Sequence, residues 1–339
     1  MRKMIIVLLV MGFVMVNMVG SLFFYKKADA APKILNISHQ WAKGDIRDLW
    51  VEKWAELVTK KTEGAIELRI FPGQSLFKTK AQHDAMRKGA LDASVLPLIY
   101  LSGRIPAYAL TSMPCLIKTA QQGANWGDHE IGKRLYEIGV NEGGFRTVSS
   151  ITLLGSVGSV KQPIILPSDM KGLKMRGAGP ATEEMMHAGE AAITSMPGSE
   201  VYFALQTGAL DALMTTYESF VTYRHYEVLK NLTVSKTHSI FSAIHGILVS
   251  NKTWDKLAAP EQRAMTEAGR EVEPHFTKLS EDIVENTIKI YRDKGLEVYS
   301  IGEKEFNAWL DLTKSTSFKT FAEKVKNGEE LLNLALEVK

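Results

Sequence analysis

Bond-breaking chemistry leaves characteristic spacings in a chain, and the common ones are missing here. Gly127-Asp128-His129-Glu130-Ile131-Gly132-Lys133 has the glycine and lysine spacing of a phosphate-binding loop. However, Arg134 stands where a Ser or Thr must hold Mg²⁺, and no apolar strand precedes Gly127. There is no His-Glu-x-x-His, no cysteine pair and no Gly-x-Ser-x-Gly. The eight histidines are scattered, and His83, His187, His225 and His275 lie in helical stretches that read as solvated or capped rather than ligating. An enzyme is therefore unsupported, and no metal or other cofactor is expected.

Two patterns suit binding instead. Lys174 and Arg176 share the alternation of a short strand, Leu173 to Gly177, and Gly177-Ala178-Gly179-Pro180 follows at once. An arginine there can offer its planar fork to a carboxylate while the amides of a following helix end assist. Equally, it can be a surface arginine paired with Glu183 or Glu184. The second pattern, Thr215-Thr216-Tyr217-Glu218-Ser219-Phe220, sets hydroxyls and aromatics at the end of an apolar run. Strand ends of open α/β sheets face the ligand crevice, although an ordinary strand running into a turn reads the same way. His39 and Trp41, at and just past the end of the opening strand, complete these candidates.

The elements that must position these residues come in duplicate. Ala204-Leu205-Gln206-Thr207-Gly208-Ala209-Leu210-Asp211-Ala212 repeats Ala85-Met86-Arg87-Lys88-Gly89-Ala90-Leu91-Asp92-Ala93. Each copy spells a helix, a Gly that stops it, and a buried strand. Pro72-Gly73 and Pro197-Gly198 precede the two helices, so two β-α-β lobes with a cleft between them are expected. The chain opens with a strand Lys33 to His39, a helix from Asp45 to Thr62 and a strand Ile66 to Phe71. A Gly/Ser passage at Gly155 to Ser159 is a candidate crossing between lobes, and strands near Thr233 and from Ala243 to Ser250 would return the chain. From Pro260 to Asp293 the pattern predicts one very long helix, or two broken near Pro274.

The first residues address the compartment. Arg2 and Lys3, an apolar run from Ile5 to Phe24, and Ala28-Asp29-Ala30 before Ala31 have the form of a cleaved export signal. The run is also long enough for an uncleaved anchor. Removing Arg2, Lys3, Lys26 and Lys27 with Asp29 from 41 basic and 38 acidic residues leaves the two signs equal. That balance argues against nucleic acid as a partner. The single cysteine, Cys115, sits among apolar neighbours and reads as a core residue.

Pro167-Ser168-Asp169-Met170-Lys171-Gly172-Leu173-Lys174-Met175-Arg176, then Ser199-Glu200-Val201-Tyr202, then the second repeat copy, resemble the extracytoplasmic solute-binding proteins of TRAP (tripartite ATP-independent periplasmic) transporters. The similarity covers nearly all of Lys33 to Lys339, including Val249-Ser250-Asn251-Lys252-Thr253-Trp254. It implies an α/β, two-lobed periplasmic binding protein of type II-like form, with a central cleft, hinge strands and a long helix spanning both lobes. The lobes would be residues 31–154 with about 242–281, and 155–241 with about 282–339, after a signal peptide of residues 1–30. It implies further that Arg176 clamps the carboxylate of a small organic acid, and that integral-membrane transporter subunits receive it for cation-driven uptake. Two departures stand out. Ser156 lies where many relatives carry a second arginine, and Asp211 is followed by Ala212-Leu213-Met214-Thr215-Thr216 instead of Gly-x-Glu-Asn. Gly198 also replaces a frequent aromatic. A less cationic pocket, roomier near Gly198 and suited to a monocarboxylate with an apolar or hydroxylated body, would follow. An exported module that reports ligand occupancy to a signalling partner would use the same cleft.

Overall fold

The computed structural model describes residues 31–235 and 238–339, so the export signal and its Ala28-Asp29-Ala30 site lie outside the described residues. The chain divides into Met1–Lys33 and Ile34–Lys339, and the site belongs to the second unit. The strands are β1 (Lys33–Ser38), β2 (Ile66–Phe71), β3 (Ala93–Pro97), β4 (Phe145–Ser159), β5 (Lys174–Gly177), β6 (Ala192–Ser195), β7 (Ala212–Thr216), β8 (Asn231–Val234), β9 (Phe241–Ser250) and β10 (Glu297–Ser300). They form one sheet in the order β2-β1-β3-β9-β4-β7-β5-β6, with β8 paired to β4 and β10 to β8.

The repeat folds as its sequence spells it, and the structure supplies the reason for its Asp. The Thr79–Lys88 helix ends at Gly89, φ 79°, and leads to β3; the Val201–Gln206 helix is followed by Gly208, φ 71°, and leads to β7. β3 runs parallel to β1, and β7 parallel to β5. In each copy the Asp before the strand bonds the neighbouring strand's backbone. Asp92 Oδ2 accepts from the Asn36 amide at 2.9 Å, and Asp211 Oδ2 from the Lys174 amide at 2.9 Å. A part-buried strand amide without a ladder partner needs an acceptor, and this carboxylate supplies one in both copies.

Two long antiparallel strands carry the sheet from one repeat to the other. β4 pairs with β9 from Phe145 to Gly155 and with β7 from Gly155 to Ser159. The Gly/Ser passage is thus part of a single 15-residue strand, not a loop. Gly155 marks the change of partner, where a Cβ would lie 2.1 Å from the Thr215 carbonyl oxygen. The helix Ala259–Asp293 runs unbroken through Pro274. It buries Met265, Ala268, Val272 and Phe276 in the core under β1 and β3, and Val284, Ile288 and Tyr291 in the core beside β7 and β8. After Trp309, which packs with Met175 and Phe306, the tail turns away. Phe321, Leu331, Leu332 and Ala335 share a core with Tyr108, Leu110 and Leu135.

Cys115 is 2% exposed, and burial pushes its thiol up to about 12. Among the described residues no helix is long and apolar enough to cross a membrane. No group of three His, Cys, Asp or Glu side chains among them is placed to hold a metal ion.

Candidate functional site

Arg176 leaves β5 into the interior, where it is 3% exposed. Its fork is held in place by the protein: Nε donates to the Met196 carbonyl at 3.0 Å and Nη1 to the Met214 carbonyl at 3.0 Å. Nη2 donates to the Tyr100 hydroxyl oxygen at 3.3 Å, and the same oxygen accepts from the Gly198 amide at 2.9 Å. Three of the five guanidinium N–H groups are thereby used. Two N–H groups and the Tyr100 O–H remain to donate. Neither Glu183 nor Glu184 pairs with Arg176, and Glu184 Oε1 instead accepts from Thr320 at 3.1 Å. The cation is therefore buried without a carboxylate partner among the described residues, and such a charge is costly until an anion meets it. The expected help from helix-end amides is limited, because the helix opens on Pro180, which has no N–H, and the Ala178 amide before it donates to Thr182 Oγ1 at 3.0 Å.

Around Arg176 lies a cavity of about 30 Å³. Its polar lining includes Gln40, Tyr100, Thr215, Thr216 and His245, and its apolar lining Trp41, Ile99, Phe241 and Ala243. These come from the ends of β1, β3, β7 and from β9, so the parallel strands of both repeats and one long strand converge on the same space. Of the sequence candidates, Arg176, Thr215, Thr216, Gly198 and Trp41 line it. Ser156, Tyr217 and His39 do not. Ser156 is fully buried on β4 opposite Thr215. Tyr217 sits in the core with its hydroxyl accepting from the Ser235 amide at 3.2 Å. His39 lies behind the wall, with Nε2 3.0 Å from Asp48 Oδ1 and its ring 5.9 Å from Trp41. Burial lowers its pKa against the pull of Asp48. The space beside Gly198 is not open: a Cβ there would meet the Tyr223 ring at 3.4 Å and the Tyr100 hydroxyl at 3.8 Å.

Sequence reasoning missed Arg47, which also lines the cavity and is 1% exposed. Asp45, the N-cap of the Ile46–Lys61 helix, grips it through Nε and Nη2, each at 2.6 Å. Nη1 donates to Glu218 Oε1 at 2.7 Å and to Ser219 Oγ at 3.0 Å. Burial alone would raise the Asp45 carboxyl, but the Arg47 charge overrides it and holds it below the ordinary range. Burial lifts the Glu218 carboxyl, opposed by Arg47 and by a short hydrogen bond from Thr216. Burial, with Arg47 nearby, pushes His245 down to about 3, so it is neutral at neutral pH. Tyr100 and Tyr223 escaped notice too, since an isolated tyrosine carries no spacing signal.

Residues 37–324 match the family model described as bacterial extracellular solute-binding protein, family 7. A solute-binding protein of Albidiferax ferrireducens is 33% identical over 92% of this chain and 93% of its own length. The C4-dicarboxylate-binding periplasmic protein of Rhodobacter capsulatus is 26% identical over 84% of this chain and 85% of its own. Among solved structures, a TRAP periplasmic solute binding protein from Rhodoferax ferrireducens with bound malonate aligns with a TM-score of 0.86 at 33% identity. The alignment covers 90% of this chain and 98% of that one. A TRAP periplasmic solute binding protein from a Sulfitobacter species, with bound β-D-galacturonate, shares the fold at a TM-score of 0.81 and 24% identity, over 90% of this chain and 99% of that one.

Proposed function

The chain belongs to the family 7 bacterial extracellular solute-binding proteins, and on that premise we propose that Arg176 clamps the carboxylate of a small organic acid for delivery to the integral-membrane subunits of a TRAP transporter. The observation that carries this reading is a buried guanidinium with no carboxylate partner among the described residues, pinned by two backbone carbonyls and lining a cavity with two N–H groups unspent. The Tyr100 hydroxyl, already accepting two hydrogen bonds, adds a donor to the same carboxylate.

The free donors favour a monocarboxylate. Arg47 already meets two carboxylates, Asp45 and Glu218, His245 is neutral, and among the lining residues Arg176 is the cation left without an acidic partner. Trp41, Ile99, Phe241 and Ala243 suit an apolar body, and the Thr215 hydroxyl and Gln40 a hydroxylated one. The lobe division at residues 154/155, 241/242 and about 281/282 belongs to this proposal. Within it, the tail beyond about residue 317 rejoins the first lobe, where its side chains pack beside Tyr108 and Leu135. Export with removal of residues 1–30 belongs to it as well.

Native mass spectrometry of freshly purified protein, followed by titration with a panel of mono- and dicarboxylic acids including malonate, tests the reading. A co-purifying acid, or saturable binding of a panel acid, is the expected result. Protein that carries no acid and binds none of the panel refutes it.

A further inference from the structure

The cluster around Arg47 joins parts of the chain that lie far apart. Asp45 and Arg47 belong to the helix that follows β1, while Glu218, Ser219 and Thr222 belong to the helix Tyr217–Thr222 that follows β7. Three bonds cross between them: Arg47 Nη1 to Glu218 Oε1 at 2.7 Å, Arg47 Nη1 to Ser219 Oγ at 3.0 Å, and Thr222 Oγ1 to Asp45 Oδ2 at 2.7 Å. The partners are 171, 172 and 177 residues apart in sequence. By contrast, the Asp45–Arg47 fork is local, spans two residues, and needs only its own helix start.

This division has a mechanical meaning. The local fork needs no residue of the other helix, so Asp45 is able to aim Arg47 whether or not the two helices meet. The Glu218 contact exists only while the helices are together, and there the side chains are almost fully buried: 1% exposed for Arg47, 0% for Asp45 and 7% for Glu218. Parting the helices rehydrates all three. Desolvation then offsets most of the Coulomb gain on closing, which makes the contact reversible rather than permanent. Arg47 also sits 4.4 Å over the Trp41 ring, so the contact that holds the helices together presses that ring against the cavity. Four of its five N–H groups are committed to Asp45, Glu218 and Ser219, which leaves it little for a ligand.

We propose that Arg47 and Glu218 are the closure contact of the cleft: a buried interlobe ion pair that positions Trp41 and sets how fast ligand leaves, while Arg176 holds the ligand itself. The proposal rests on the reading of the cleft as an organic-acid site. Closing on ligand selects the state in which this pair forms, and a state stabilised by both opens less often than one stabilised by either.

The test measures closure without ligand and then with it. Nitroxide labels at Lys60→Cys and Lys230→Cys report the distance between the two halves by pulsed electron resonance. The buried Cys115 is left unlabelled. Glu218→Gln keeps the side-chain volume and removes the charge; Arg47→Lys keeps the charge and loses the fork. Both are expected to shift the ligand-free distribution toward the longer distance. In stopped flow with whichever panel acid the wild type binds, they are expected to raise the dissociation rate about tenfold while changing association less than threefold. Glu218→Asp should recover part of both effects. Should Glu218→Gln fail to fold, Ser219→Ala combined with Thr222→Val removes the two crossing bonds made by hydroxyls, and it must move the distance distribution in the same direction. Superimposable distributions for wild type and the folded variants overturn the proposal, as does an unchanged dissociation rate. Failure of the organic-acid reading shows up separately, as wild-type protein that binds no acid at all.

Discussion

Replacing Arg176 probes the site most directly, and the structure sets the size of the effect. The guanidinium is 3% exposed and keeps two N–H groups free, one on each terminal nitrogen. Arg176→Ala would leave the ligand carboxylate buried and unpaired, a loss of about 2–5 kcal/mol as for truncating one partner of a buried charge pair. That is about 30- to several-thousand-fold in affinity. Arg47 does not substitute, because its charge is already met by Asp45 and Glu218. The same truncation also takes donors from the Met196 and Met214 carbonyls, so a melting control is needed to separate binding from folding. Arg176→Lys keeps the charge but not the fork and should fall between. The assay is calorimetric titration with the acid found by mass spectrometry. If Arg176→Ala melts like wild type yet binds within threefold, under about 1 kcal/mol, the guanidinium does not carry the ligand.

Three further outcomes follow from particular residues. Gly155→Ala places a methyl 2.1 Å from the Thr215 carbonyl oxygen and 2.7 Å from the Phe241 ring; denaturant titration should show a loss of about 2 kcal/mol or more, and an unchanged midpoint would mean the strand crossing is looser than described. His225 is fully buried, its ring nitrogens have no hydrogen-bond partner, and burial aided by the Arg176 charge pushes it down to about 3. Unfolded chains protonate near 6.5, so this contribution is intact above that pH and is lost as pH falls toward 3, costing about 2 kcal/mol at pH 5. Melts of His225→Phe, which keeps an aromatic beside Phe220 and Tyr223, should be less acid-sensitive than wild type, and parallel pH curves would contradict this. The mass of protein recovered from the cell envelope should begin at Ala31, and a full-length product would favour the membrane anchor.

Much of this arrangement was legible because it rests on local rules. The repeat was readable since a helix stop needs Gly and a buried strand needs an apolar run, and Gly89 and Gly208 both adopt positive φ as required. Arg176 was readable through a block of ten residues with a distinctive order. The role of Asp92 and Asp211 was not: a carboxylate bonding another strand's amide depends on which strands become neighbours, and spacing along the chain does not encode that. Arg47 was hidden for the same reason, since Asp-x-Arg at a helix start is a common surface pattern until Glu218 arrives from 171 residues away. Ser156, Tyr217 and His39 are buried but do not line the cavity: Tyr217 opens a helix and turns its hydroxyl to the Ser235 amide, and His39 turns to Asp48, tertiary choices that spacing along the chain does not encode.

The interleaving of the chain bears on how it is made. The core under β1 and β3 is completed by β9 and by Met265, Ala268, Val272 and Phe276, residues from the last third of the sequence. During synthesis, then, the N-terminal repeat has no closed core of its own until the long helix has been translated, and most of its stabilising contacts are distant in sequence, which slows collapse to the native state. A polypeptide of this topology leaves its first repeat open until β9 and the long helix both exist, so the core under β1 and β3 is among the last parts of the chain that can close.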